Sequence, residues 1–97
     1  MPLSLILHDL SALGPDDEKR FFESIFQIAP EHWQVSKSAT LVETGVSPAY
    51  LRDHLVRTLP VPMRAVTQLF VTHVSADAAW NVLPTVGERW VQDALAP

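Results

Sequence analysis

Apolar residues follow two different spacings along this chain, and these spacings predict its strands and helices. Residues 3–8 (LSLILH) are a short aliphatic run, and residues 65–74 (AVTQLFVTHV) are β-branched and aromatic without an internal Gly or Pro. Both segments are therefore expected to be strands. Residues 32–46 (HWQVSKSATLVETGV) fit two further short strands, joined by a turn at residues 36–38. The pattern thus predicts four strands.

Two segments repeat apolar residues at the spacing of a buried helix face. The first follows Gly14-Pro15 and an acidic run at residues 16–18, which suits the amino end of a helix, and Pro30 is expected to end it. The second starts at Ser47-Pro48, where serine is a preferred cap and proline suits the first helical position. The predicted buried stripes are Phe22, Ile25, Phe26 and Ala29 in the first helix and Leu51, Leu55, Val56 and Leu59 in the second.

A short last helix is predicted near the carboxyl end of the chain. Residues 85–88 (TVGE) match a capping box with Thr85 as the cap, and apolar residues at helical spacing follow. Gly87 in the first turn should weaken this helix slightly. We expect Trp90 to lie in the core, and Trp80, in the irregular segment before the helix, to anchor an interface.

The order of these elements predicts the fold. A βαββαβ chain with right-handed crossovers gives the ferredoxin-like α+β sandwich, a four-stranded antiparallel sheet with two helices on one face, here followed by an extra C-terminal helix. Residues 1–97 are expected to form one such domain. The first and last strands carry apolar side chains on both faces, for example Leu7 beside Ile6 and Phe70 beside Leu69. The second face therefore needs a cover, and we expect the last helix and a second subunit to supply it, with Phe70 at the dimer interface.

Composition narrows the classes of function. The chain of 97 residues contains 7 Lys and Arg against 11 Asp and Glu, a net charge of −4, which disfavours general coating of nucleic acid. It contains no cysteine, so disulfides and thiolate zinc sites are excluded. No basic leader or membrane-spanning run is evident. We therefore expect a cytoplasmic protein that does not bind membranes.

Several stretches of the chain together resemble one family of small proteins. They are LILHDLS, WQVSKSATLVETGVSPAYLRDHLVRTL, QLFVTHV, AAWNVLP and ERWVQDAL. They resemble the CRISPR-associated endonuclease of the spacer-adaptation complex and, more closely, the SinR-like bacterial proteins, with VapD-type toxins as more distant relatives. The resemblance implies a ferredoxin-like fold and a homodimer packed through the open sheet faces. In some members it also implies cleavage of RNA or DNA that depends on Mg²⁺ or Mn²⁺, as in bacterial defence, whereas other members are inactive adaptors.

Asp9 is the candidate catalytic and metal-binding residue. In the cleaving members an aspartate at the end of the first strand of each subunit is the proposed metal ligand, and Asp9 stands at that position. A strand-end carboxylate can bind Mg²⁺ while water and phosphate complete the octahedron, or it can begin a turn by bonding the backbone near Ser11. His8 is a candidate general base, but neighbouring strand residues face opposite sides of a sheet. The chain also lacks a second acid beside Asp9.

Two functions from different classes stay open. One is a metal-dependent endonuclease, in which basic side chains contact the phosphates of RNA or DNA. The candidate contacts are Lys37, Arg52 and Arg64, with Arg57 beside them, and all four are equally explained as solvated surface. The other is a catalytically inactive homodimer that serves as an adaptor or scaffold for another protein, in line with the isolated carboxylate and the acidic charge.

Overall fold

A computed structural model, which describes residues 2–96, contains the predicted elements in the predicted order. They are β1 (Leu3–Asp9), α1 (Pro15–Ile28), β2 (His32–Ser36), β3 (Ala39–Glu43), α2 (Pro48–Thr58), β4 (Gln68–Val74) and α3 (Thr85–Leu95), with a short 3-10 helix at Val61–Met63. The strands form one antiparallel sheet in the order β2-β3-β1-β4. This is the ferredoxin-like α+β arrangement with a C-terminal helix, and it confirms the predicted fold class. No helix within residues 2–96 is long and apolar enough to cross a membrane.

Helices α1 and α2 cover one face of the sheet. The even-numbered residues of β1 point to this face, and Ile6 is fully buried there among side chains from both helices. The buried residues of this core are Ile6, Leu10, Phe21, Ile25, Ala29, Val42, Leu51, Leu55 and Leu59. Burial of this apolar surface is the main stabilising term for the fold.

The start of α2 forms as the sequence predicts. Ser47 is the cap residue, its Oγ accepts the backbone N–H of Tyr50 at 3.1 Å, and Pro48 occupies the first helical turn. Leu51 and Leu55 are buried on the predicted seam. His54 joins the two helices through a 3.0 Å hydrogen bond between its Nε2 and the backbone oxygen of Ser24.

The predicted buried stripe of α1 is wrong in one residue. Phe26 is 60% exposed, whereas Phe21 is buried and packs in the core with Ile25. The helix is rotated so that the stripe starting at Phe21 faces the sheet, and Phe26 contacts only the edge of His32, with ring centroids 5.8 Å apart. Two adjacent phenylalanines define two overlapping stripes of helical spacing, and packing against the sheet selects one of them.

The last strand is shorter than predicted, because β4 begins at Gln68 and not at residue 65. The backbone N–H groups of Val66 and Thr67 both bond the carbonyl of Met63, so these residues belong to the turn that follows the 3-10 helix. Their partner strand also ends here, since Asp9 pairs with Gln68. The first residue of β4 is therefore set by where its partner strand ends, and not by β-propensity alone.

Helix α3 packs on the second face of the sheet, at the end nearest β2. Trp33, which shares this face with Leu41, places its six-membered ring against Gly87 of α3. Leu3 and Val91 are both buried outside the main core. Thr85 is the first helical residue and Pro84 the cap, so the predicted capping box is wrong, and Trp90 is only partly buried.

Replacing Gly87 with Ala is expected to lower the free energy of unfolding. This change normally stabilises a helix interior by about 1 kcal/mol, but a Cβ here would lie 2.6 Å from Trp33 Cη2 and displace the ring. Urea unfolding of the wild type and Gly87→Ala measures the effect. In a Trp33→Leu background the same change should stabilise the protein, and stabilisation in both backgrounds would contradict this account.

Candidate functional site

Two neighbouring cavities lie where β1 ends. The larger, of about 620 Å³, lies between the ends of β1 and β4 and the turn after β2. The smaller, of about 340 Å³, lies between that turn and the start of α1. The residues that line both cavities are His8, Asp9 and Ser38. We call this region the Asp9 site.

Asp9 is exposed at the end of β1 and takes part in a local turn. Its Oδ1 accepts the backbone N–H of Ser11 at 3.1 Å, which is the turn geometry that the sequence left open as an alternative to metal binding. Hydrogen bonds from the Ser11 side chain and backbone lower the pKa of Asp9, and the positive charge of Lys37 lowers it further. The carboxylate is therefore ionised at neutral pH.

His8 faces the helices and does not act together with Asp9. Its imidazole lies edge-on to the rings of Phe21 and Phe22, at centroid distances of 5.6 and 5.5 Å. A 2.9 Å hydrogen bond joins His8 Nε2 to Thr40 Oγ1. Burial lowers the pKa of His8, against smaller opposing effects of its own backbone and of the Glu18 charge. The alternation of side chains along β1 thus separates these two neighbours, as predicted.

Among residues 2–96, no group of three or more His, Asp or Glu side chains is placed to hold a metal ion. A single exposed carboxylate nevertheless suits Mg²⁺, which is commonly held by one or two carboxylates while water fills its other positions. The donor chemistry of Asp9 therefore fits a hard divalent cation, and Glu18 is the other carboxylate that lines the smaller cavity.

The three cations predicted to contact nucleic acid lie in different places. Lys37, in the turn after β2, lines the smaller cavity with Asp9. Arg52, on α2, forms an exposed ion pair with Asp53 at 2.9 Å. Arg64 donates two hydrogen bonds of 3.1 Å to the last carbonyls of α2 and its cap, those of Arg57 and Leu59. Lys37 is thus the one cation of the three that lies near Asp9. Arg64 instead caps the carboxyl end of α2.

An uncovered patch on the second face overlaps the Asp9 site, since its residues also line the larger cavity. We define it by Leu7, Gln68 and Phe70, which lie beyond the end of the sheet that α3 covers. Leu7 and Phe70 are paired across β1 and β4 and are 44% and 62% exposed. Trp80, the other predicted interface residue, is 37% exposed in the segment that leads to α3. Both predicted interface residues are therefore at the surface.

Sequence reasoning missed two residues of the larger cavity, Thr67 and Gln68. They reach Asp9 only through the pairing of β1 with β4, in which Gln68 stands opposite Asp9. No local motif marks them. Only a correct prediction of the pairing register of β1 and β4 could have identified these two residues from the sequence.

Comparisons with known proteins assign no family. No protein-family model matches the chain, and no curated protein matches it at a significant level. The resemblance to SinR-like and CRISPR-associated proteins therefore stays a prediction.

Acid is expected to destabilise the protein through His8. Burial lowers the pKa of His8 in the folded protein below the unfolded value of about 6.5. Above that pH the His8 side chain is neutral in both the folded and the unfolded protein, so it does not reduce the free energy of unfolding. Below it the unfolded state takes up a proton first, and the free energy of unfolding falls by up to about 1.4 kcal/mol per pH unit until the folded-state pKa is reached.

Urea unfolding at several pH values between neutral and mildly acidic measures this dependence. His8→Gln should flatten the curve, because it removes the buried imidazole. If the wild type and His8→Gln show the same pH dependence, His8 is not the cause of the acid destabilisation.

Proposed function

We propose that the protein is a homodimeric adaptor or scaffold for another protein, of the SinR-like and CRISPR-associated endonuclease class. Its two copies pack through the uncovered patch. The observation that carries the proposal is the exposure of Leu7 and Phe70 side by side on a sheet face that α3 covers only in part. Paired apolar side chains on a sheet surface favour contact with another apolar surface.

A second copy is the occupant that the chemistry of the patch favours. Leu7, Gln68 and Phe70 carry no charge, and a largely apolar patch can pair with a copy of itself across a twofold axis. The net charge of −4 makes a polyanion a poor partner for the same face.

The free energy expected from burying the patch indicates how large the dimer interface must be. Burying the remaining exposed part of Leu7 and Phe70 contributes roughly 1 kcal/mol per side chain, or about 4 kcal/mol for two copies. Association itself costs at least about 4 kcal/mol. The interface must therefore extend to neighbouring side chains, such as Thr72 on the same face of β4. We expect a dimer of moderate affinity.

Phe70→Glu is expected to convert a dimer into a monomer, because it places two charges in an apolar interface. Sedimentation equilibrium of the wild type and the variant measures the change. Phe26→Glu is the matched control: Phe26 is 60% exposed, close to Phe70 at 62%, but lies on α1 on the opposite side of the sheet. A wild type that is monomeric at every concentration, or a Phe70→Glu variant that still dimerises, contradicts the proposal.

Metal-dependent cleavage of RNA or DNA is a second candidate, and the position of Asp9 favours it. Asp9 follows Leu7 on the same face of β1, so a dimer formed through the uncovered patch would have an Asp9 from each copy at its border. A bound Mg²⁺ or Mn²⁺ would polarise a phosphodiester and activate water. In this chain the Asp9 carboxylates would hold the ion, Ser11 would orient the carboxylate through its N–H, and Lys37 would offset phosphate charge.

Asp9→Asn is expected to abolish any such cleavage, since it removes the negative charge while keeping an oxygen for the Ser11 hydrogen bond. The assay combines labelled RNA or duplex DNA with Mg²⁺ or Mn²⁺ and purified protein. Asp77→Asn, at an exposed position in the segment before α3, is the control and should retain activity. Absence of cleavage by the wild type, or cleavage that survives Asp9→Asn, removes this candidate and leaves the binding function.

A further inference from the structure

A second cavity region lies far from Asp9 in the fold, between the start of β2 and the first turns of α3. Its volume is about 330 Å³. Its lining is mostly apolar and includes two tryptophans, Trp33 and Trp90, together with Pro84 and Val86. It shares no lining residue with either cavity of the Asp9 site. We call it the tryptophan cavity.

The two tryptophans do more than fill the space under α3. Trp33 packs so closely on the helix that a Cβ at position 87 would lie 2.6 to 2.8 Å from three of its ring atoms, so glycine is needed there. Trp33 and Trp90 are both only partly buried and border open space. The fold therefore holds two indole rings at the wall of a cavity and leaves room beside them.

Charge decides what the tryptophan cavity would accept. Among the described residues that line it, Glu31 is the only one with a charged side chain, and no Lys or Arg is present. The other titratable group, His32, is fixed by a 2.9 Å hydrogen bond from Nδ1 to the Ala29 carbonyl and by the edge contact with Phe26. Indole rings beside a carboxylate are the chemistry that recognises organic cations.

The shortage of hydrogen-bond acceptors narrows the cation further. A guanidinium brings five N–H donors and an ammonium three, and each donor needs an acceptor when it is buried. The lining offers one carboxylate and otherwise mainly apolar carbon. A quaternary ammonium, whose nitrogen carries four carbon substituents, has no N–H to satisfy. A volume of about 330 Å³ is also at the lower end of the range for small-molecule sites, which suits a head group and not a large cofactor.

We propose that the tryptophan cavity binds a quaternary ammonium group, held against Trp33 and Trp90 and neutralised by Glu31. This site is independent of the dimer and of the Asp9 chemistry, so it stands or falls separately from the proposed function. The group could be carried by a free small molecule or by a trimethylated lysine of a protein, and both sources present the same chemistry.

Tryptophan fluorescence and calorimetry test the proposal with choline as the probe, at constant ionic strength. Choline should give a saturable change, and guanidinium and ammonium at equal concentration should bind at least about tenfold more weakly. A trimethyllysine peptide is the second arm: tighter binding than choline identifies a protein ligand, and equal or weaker binding identifies a small molecule.

Three variants locate the site. Glu31→Gln should weaken choline binding several-fold, and Trp90→Leu should abolish it. Trp80→Phe, outside the cavity, should leave binding unchanged while removing background fluorescence. Circular dichroism checks folding, and Glu31→Gln, at an exposed position, keeps the test valid if Trp90→Leu does not fold. Absence of saturable choline binding, or binding that Glu31→Gln leaves intact, overturns the proposal.

Discussion

The structure depends on one strand, β1, whose side chains must be covered on both faces of the sheet. It is hydrogen-bonded to β3 on one side and to β4 on the other, so its backbone is satisfied and its side chains decide the packing. On the helix face Ile6 is fully buried, and both polar residues beside it form a hydrogen bond. Ser4 Oγ bonds His73 Nδ1 at 3.2 Å, and His8 bonds Thr40 through Nε2, while the buried Nδ1 of His8 has no partner among the described residues. These bonds let a strand with polar residues occupy the centre of a small core.

The opposite face of the sheet is covered by α3 at one end and exposed at the other. The proposed dimer and the proposed cation site both arise from this partial cover. At one end α3 approaches closely because Gly87 leaves room for Trp33, and Leu3 is buried. At the other end Leu7 and Phe70 stay exposed. One short helix cannot cover a four-stranded sheet, since its width spans only about two strands. The proposed dimer surface and the tryptophan cavity are therefore two consequences of the same incomplete cover.

Most local features were predictable from the sequence, with the cap of α3 as an exception, and long-range register was not. The cap at Ser47 and the order of the elements follow from turn and cap residues within a few positions of each other. The choice of Phe21 over Phe26 needed the direction from which the sheet meets α1. The partnership of Asp9 with Gln68 needed the strand register, and the tryptophan cavity needed the docking of α3 on β2. Each of these depends on contacts between distant parts of the chain, which no local pattern encodes.

The electrostatics of Asp9 decide how closely the dimer and the nuclease candidate are linked. Its carboxylate stays ionised, because Ser11 and Lys37 lower its pKa, so two copies cannot approach by sharing a proton as buried carboxylate pairs do. Lys37 lies in the same cavity, however, and offsets part of the negative charge of Asp9 and Glu18. Solvent screens what remains, since Asp9 is exposed. The proposed dimer would therefore need no cation between its carboxylates, and a divalent metal at Asp9 would have a role in chemistry and not in assembly.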